Sequence, residues 1–368
     1  MSTNFPFEKI PYTKPSITEL EIRYASDAAI NGWGEKCYEY IEQFEEKFKQ
    51  HLNCNYALAT SSCTGAIHMG LHALGIGHGD EVILGNSNWV ATAAPIIHLG
   101  ATPIYVDILE NTWCLDPKEV EDAITPKTKA IIAVHLYGNL CDMNALLNIG
   151  KKYNIPIIED SAEALGSRLL VNNQFIHCGL FSEIGVLSFN GNKLITTGGG
   201  GALITNNSKY AITARHLSTT AKIPHEWEFI HDYVGWNDRM PNINAALGVA
   251  QIENIYKLLE NKKNLFTNYL NAFKDCQFAE IIKTPDNSIS NNWLIALRLK
   301  IDDKDSLLKL RKDLLEESIN QGLHLRPSWK LLNTLPMYIN SPKGDLSIAK
   351  GENERIISLP SSPQLDKS

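Results

Sequence analysis

Lys193 is the residue of this chain best placed to do covalent chemistry. It closes the run Ser188-Phe189-Asn190-Gly191-Asn192-Lys193 and is followed by Leu194-Ile195-Thr196-Thr197 and four glycines, Gly198 to Gly201. Ile184 to Phe189 before it and Gly201 to Thr205 after it read as apolar strands, which sets Lys193 in a loop between two core elements. A lone loop lysine is ordinarily solvated, but here small residues, backbone amides and apolar flanks crowd it. A lysine in a partly desolvated pocket has its pKa lowered and attacks a carbonyl as the free amine. The expected chemistry is that of a Schiff-base lysine.

Such a lysine needs partners. Thirty-three positions earlier, Pro156-Ile157-Ile158-Glu159 reads as a buried strand ending at the carboxylate Asp160. Open α/β sheets bind ligands beyond the carboxyl ends of their strands, where Asp160 would lie. An anion there suits pyridoxal phosphate, because a carboxylate beside the ring nitrogen keeps it protonated and makes the ring an electron sink. Read alone, Asp160 could equally be a helix N-cap. Ser61-Ser62-Cys63-Thr64-Gly65, between the strand Tyr56–Thr60 and a helix expected from about Ala66 to Leu74, offers free amides and a positive dipole end to a phosphate. A bare cap is the competing reading there. In Asn88-Trp89-Val90-Ala91-Thr92, Trp89 could stack on a flat ring or simply be core.

The elements that must position these residues alternate along the chain. Tyr56–Thr60, Glu81–Leu84, Pro103–Val106, Lys129–Val134, Pro156–Glu159, Ile184–Phe189 and Gly201–Thr205 read as seven mostly apolar strands separated by helix-length segments. That is the pattern of a largely parallel sheet covered on both faces, an α/β fold. Ser16-Ile17-Thr18-Glu19 offers a capping box for a helix to about Ile30, and Tyr38 to His51 reads as an amphipathic helix. Tyr210 to Leu217 reads as a helix, Ser218 to Trp236 as an irregular loop, and Asn242 to Glu260 as one long helix. From about Phe273 the pattern changes to short strands and helices, with Asn292–Leu299 as a strand and Asp305 to Gln321 as a helix. The expected organisation is a large domain over 1–250, including the N-terminal segment, and a smaller C-terminal α+β domain over 251–368.

The 368 residues are 44% hydrophobic and 20% charged with a formal net charge of -7. No Lys/Arg block suggests a nucleic-acid footprint. Seven cysteines show neither Cys-x-x-Cys pairs nor zinc-ligand spacing, so no metal site is expected. Their odd count argues against a closed disulfide set and reads as a reduced, cytoplasmic protein. The N-terminus lacks a basic stretch followed by an apolar one, and no apolar run approaches about 18 residues, so neither export nor a membrane span is expected.

With these residues in place, the chain resembles the sugar-nucleotide aminotransferases of the fold-type-I pyridoxal phosphate class over nearly its whole length. Gly79-Asp80-Glu81-Val82, Trp89-Val90-Ala91-Thr92, Gly100-Ala101-Thr102-Pro103, Val106-Asp107, Ile124 to Lys129, Val134-His135-Leu136-Tyr137-Gly138 and Glu159-Asp160 look like its signatures in its order. Within that family, the runs 188–193 and 215–222 look most like enzymes that aminate C4 of a UDP-linked 2-acetamido-2,6-dideoxy-4-ketohexose in bacillosamine and legionaminic acid pathways. The resemblance implies pyridoxal 5'-phosphate as cofactor, with Lys193 as the Schiff-base lysine and general base, Asp160 at the ring nitrogen and Trp89 stacked on the ring. Thr64, Gly65 and Ser188 would hold the phosphate, and Glu163 falls where the family usually has a Gln near the cofactor hydroxyl. Asn237 matches an asparagine that reaches the phosphate of the neighbouring subunit, which implies a homodimer with shared active sites. L-glutamate is the implied amino donor, and a nucleotide-linked 4-keto sugar the acceptor. Three positions depart from the pattern: Cys63-Thr64-Gly65-Ala66 replaces Gly-Thr-Ala-Ala, Gly199 replaces a common Glu, and Asp238 replaces a frequent Tyr. A related dehydratase branch carries His where Lys193 stands, and a regulator without catalysis would not need Lys193, Asp160 and Trp89 together.

Overall fold

The computed structural model describes residues 9–366. Seven strands form the main sheet in the spatial order 56–60, 201–205, 184–188, 157–160, 128–134, 81–85, 102–106. All run parallel except Gly201–Thr205, which is antiparallel to both neighbours. Near-continuous Val, Ile, Leu and Ala runs are what a sheet buried on both faces requires. Side chains alternate between two cores: Ile184 and Val186 enter one and Leu187 enters the other. The helix Cys63–Ala73 covers the first face, and Glu39–Leu52 with Asn242–Glu253 covers the second, where Phe44 and Phe48 pack on Phe189.

Parallel order brings the carboxyl ends of Tyr56–Thr60, Ile157–Asp160 and Ile184–Ser188 to one edge, where Gly201 pairs with both Thr60 and Ser188. That edge is where the candidate residues meet. Gly201 is required there: a Cβ would strike the backbone of Ser62 and Cys63, while Gly198 takes a φ of 79° that disfavours other residues.

Several boundaries differ from expectation. The helix expected from Ala66 begins at Cys63, because Ser62 caps it by accepting from the Gly65 amide at 3.0 Å. The first helix, Glu19–Asn31, has its capping box on Thr18 and Glu21 rather than starting at Ser16. The long helix expected over 242–260 is two, Asn242–Glu253 and Ile255–Phe273, broken at Asn254. Part of the loop 218–236 is a short hairpin pairing Lys222–Ile223 with Ile230–His231. The strand expected from Asn292 begins at Ile295, since Asn292 itself has a φ of 50°.

Toward the C-terminus, Ala279–Ile281, Ile295–Leu299, Ile356–Leu359 and Arg326–Pro327 make an antiparallel four-stranded sheet packed on the helices Ile255–Phe273 and Lys304–Asn320. The N-terminal segment crosses to this part, with Ile10 bridging Leu323 and the Ser361 amide donating to Tyr12 O at 2.6 Å.

Candidate active site

A cleft of about 640 Å³ lies between the carboxyl edge of the main sheet and the C-terminal sheet. Lys193, Asp160, Glu163, Thr64, Trp89 and Ser188 all line it, and Trp293, Arg326 and Trp329 close it from the C-terminal side.

The Lys193 loop is pinned at its base. Phe189 is fully buried, its amide donates to Gly200 O at 2.9 Å, and its carbonyl accepts from the Thr197 amide at 2.9 Å. The Lys193 amide donates to Asn190 O at 3.0 Å. The Lys193 side chain is 13% exposed, with Nζ 3.8 Å from Glu163 Oε1 and 3.7 Å from the centroid of the Trp293 ring. Burial pushes the Lys193 pKa down against the opposing pull of Glu163, which favours the nucleophilic free amine.

Asp160 is buried, and accepts from Thr92 Oγ1 at 2.6 Å and from the Ala162 amide at 3.1 Å. Burial raises its pKa despite those bonds. Burial outweighs both the hydrogen bonds and the pull of Lys193 and His135 on this carboxylate. Glu163 accepts from the Tyr137 amide at 2.8 Å, and burial raises its carboxyl to about 7. On the other side of the same strand, Glu159 accepts from the amides of Gly179, Phe181 and Ser182 and from the Ser182 hydroxyl. His135 Nδ1 accepts from the Cys141 amide, so His135 Nε2 carries the proton and donates to Glu159 at 3.0 Å. The Glu159 pKa stays low although burial opposes it. Glu159 anchors the strand whose next residue enters the cleft.

The remaining site expectations land unevenly. Thr64 and Ser188 face the cleft beside the N-terminus of Cys63–Ala73, but the Gly65 amide is already engaged by Ser62. Asp238 stands at the same end, accepting from the Ser61 hydroxyl at 2.9 Å. Trp89 is 51% exposed, with its ring 5.6 Å from that of Trp329. Asn237 is exposed and is not among the residues lining the cleft. Thr92, Tyr137, Trp293, Arg326 and Trp329 carry no role in the sequence reading. Thr92 sat in a quoted motif, but only the fold shows that its hydroxyl meets a residue 68 positions away.

The cleft suits a flat, anionic, carbonyl-bearing cofactor on three observations: an amine of lowered pKa, an undercompensated carboxylate, and hydroxyls at a helix N-terminus. Two buried polar atoms of cleft-lining residues, Asn88 Nδ2 and Asn192 Oδ1, also lack hydrogen-bond partners among the described residues.

Comparison with known proteins agrees with this chemistry. Residues 15–368 match the DegT/DnrJ/EryC1/StrS aminotransferase family. A GDP-perosamine synthase of Escherichia coli O157:H7 is 34% identical over 356 residues, covering 97% of this chain and 94% of the relative. A GDP-perosamine synthase of Vibrio cholerae is 32% identical over 358 residues, covering 97% and 95%. The Streptococcus pneumoniae sugar aminotransferase candidate Spr1654, in its PLP form, has a TM-score of 0.86 at 27% identity, over 96% of this chain and 94% of that one. The mostly parallel sheet flanked by helices is the fold-type-I pyridoxal phosphate transferase architecture.

Proposed function

Because the chain belongs to the DegT/DnrJ/EryC1/StrS aminotransferase family and is a pyridoxal-phosphate-dependent sugar aminotransferase, we propose that it moves the amino group of L-glutamate to C4 of a nucleotide-linked 4-keto-6-deoxy sugar. The observation that carries this reading is the buried Lys193 amine facing a cleft that also holds Asp160 and Glu163. Pyridoxal phosphate, when bound, supplies the electron sink through which an amino group and a proton pass between donor and acceptor carbons. Lys193 Nζ takes the proton from the donor carbon and returns one to the acceptor carbon. Asp160 Oδ1 and Oδ2, steadied by Ala162 and Thr92, keep a proton on the ring nitrogen. Glu163, with its carboxyl near 7, can donate or accept a hydrogen bond at the cofactor hydroxyl. Thr64, Ser188 and the free amides at the start of Cys63–Ala73 would hold the phosphate, and Trp89 would cover the ring.

Arg326 lines the cleft and makes no ion pair among the described residues, so it is available to a carboxylate or diphosphate. For the nucleotide, the runs 188–193 and 215–222 support a UDP-linked 2-acetamido-2,6-dideoxy-4-ketohexose. The names of the E. coli and V. cholerae relatives support a GDP-linked sugar instead. Asn237 would act in the partner's site of a homodimer, and the strongly exposed Trp227, Phe229, Tyr233 and Val234 in the preceding loop support an interface there.

The test is purified protein with glutamate and a panel of UDP-, GDP- and dTDP-linked 4-keto-6-deoxy sugars, following 2-oxoglutarate release and amino-sugar mass. One nucleotide series should be aminated at C4. Cofactor bound and reduced by glutamate, with no 4-keto sugar aminated, would overturn the acceptor assignment.

A further inference from the structure

Lys262 is 1% exposed on the inner face of the helix Ile255–Phe273, and the reaction outlined above does not use it. A buried lysine ordinarily meets a carboxylate, but this one meets two carbonyls: Nζ donates to Trp293 O at 2.8 Å and to Ser361 O in a short contact. A neutral amine has two N–H donors, which matches two acceptors, and burial lowers the Lys262 pKa to about 7. The amine is therefore satisfied without a counter-charge.

From those two carbonyls, hydrogen bonds run in both directions to the catalytic loop. On one side, Trp293 Nε1 donates to Asn192 O at 2.8 Å. On the other, the Ser361 amide donates to Tyr12 O at 2.6 Å, and Tyr12 Oη accepts from Asn192 Nδ2 at 2.7 Å. Both arms end on Asn192, the residue before Lys193, and the Trp293 ring is the surface under Lys193 Nζ. The circuit draws together the N-terminal segment, the 293 strand entry, the chain near 361 and the lysine loop. Its only fully buried cation-forming group is Lys262.

We propose that Lys262 is a positioning residue that sets the Lys193 amine for attack, by tying Trp293 and Ser361 into one frame around Asn192. Its effect on Lys193 is separate from its effect on overall stability. Removing the amine strands two buried carbonyls and frees the Trp293 ring to shift, so Lys193 loses its defined approach to a carbonyl.

The purified protein, stripped of cofactor, is mixed with pyridoxal phosphate, and the rate at which the lysine-linked chromophore appears is recorded. Borohydride trapping and peptide mapping then quantify labelling at Lys193, and urea midpoints report stability. Lys262→Met should slow capture at Lys193 by about tenfold or more. Lys262→Gln, which keeps two N–H donors without a charge, should recover it to within about threefold. Leu307→Ala, a core truncation in the C-terminal hydrophobic cluster, should lower the urea midpoint comparably and leave the capture rate unchanged. If Lys262→Met gives no folded protein, Trp293→Phe, which removes the donor to Asn192 and part of the ring beside Lys193, must show the slowed capture. Wild-type capture rates in a destabilised Lys262→Met or in Trp293→Phe, or equal slowing in Leu307→Ala, would overturn the proposal.

Discussion

Glu159 and Asp160 are adjacent carboxylates on one buried strand, yet they sit in opposite electrostatic situations. Glu159 faces away from the cleft and accepts five hydrogen bonds, three of them from backbone amides. Asp160 faces the cleft with three, one of them a long 4.0 Å contact from the Cys63 thiol and only one from a backbone amide, and its pKa is raised where that of Glu159 is lowered. A strand's period of two sends neighbours to opposite faces, so one residue step separates scaffold from chemistry. A polar set completed inside the chain fixes structure. One left incomplete at a cavity is poised for something from outside, whether cofactor, substrate or a residue of a second subunit.

The largest effect expected from breaking this contrast is on stability. Glu159→Ala would leave the Gly179, Phe181 and Ser182 amides and the His135 N–H without their buried acceptor, at a cost of about 1–3 kcal/mol for each donor left unsatisfied. The urea midpoint should fall accordingly, and a change under about 1 kcal/mol would remove Glu159 from the scaffold. Asp160→Asn should do the reverse, leaving the cofactor-free protein as stable as wild type or more so while turnover falls about a hundredfold, about 2.7 kcal/mol of barrier. A fall of less than about tenfold, roughly 1.4 kcal/mol, would make Asp160 a turn-capping carboxylate.

If the incomplete set draws on a partner subunit, mixing inactive Lys193→Ala with inactive Asn237→Asp should restore activity. Hybrid dimers would carry one doubly damaged and one intact site. Random exchange makes about half of all dimers hybrids, so about a quarter of wild-type activity should return. Demonstrated subunit exchange without recovery would confine each site to one chain.

The smallest effect is a pH slope. Because burial raises Glu163 from 4.5 to about 7, the folded cofactor-free protein keeps a proton that the unfolded chain has released. Stability from this group is full below pH 4.5 and declines as pH rises toward 7. Glu159, with its lowered pKa, contributes above 4.5 and loses that contribution as pH falls through its folded value. Urea midpoints measured from pH 4.5 to 7.5 should show Glu163→Gln gaining on wild type as pH rises, and parallel curves would contradict the raised carboxyl.

The fold was legible because a doubly covered parallel sheet writes itself as repeated apolar runs, and all seven strands were anticipated to within about two residues. Asp160 was legible as a polar residue terminating such a run and Lys193 as a loop residue between two of them, and the sheet edge brings both to one cleft. Boundaries set by a single side chain were not. Ser62 moves a helix start by three residues, and Asn254 breaks an apolar periodicity that carries on through Ile255 and Leu258. Contacts across long separations were invisible as well. Lys262 lies in Glu260-Asn261-Lys262-Lys263-Asn264, just past the helix expected over 242–260, and only tertiary packing buries it against the Trp293 carbonyl.

The central claim is that Lys193 is the amine that holds the cofactor. Borohydride reduction of the purified protein with pyridoxal phosphate, followed by peptide mapping, tests it most directly. A single pyridoxyl group on the peptide containing Asn192-Lys193-Leu194, absent from Lys193→Ala, is the expected result. The same group on another lysine, such as Lys222 or Lys262, with Lys193 unmodified, would contradict the account.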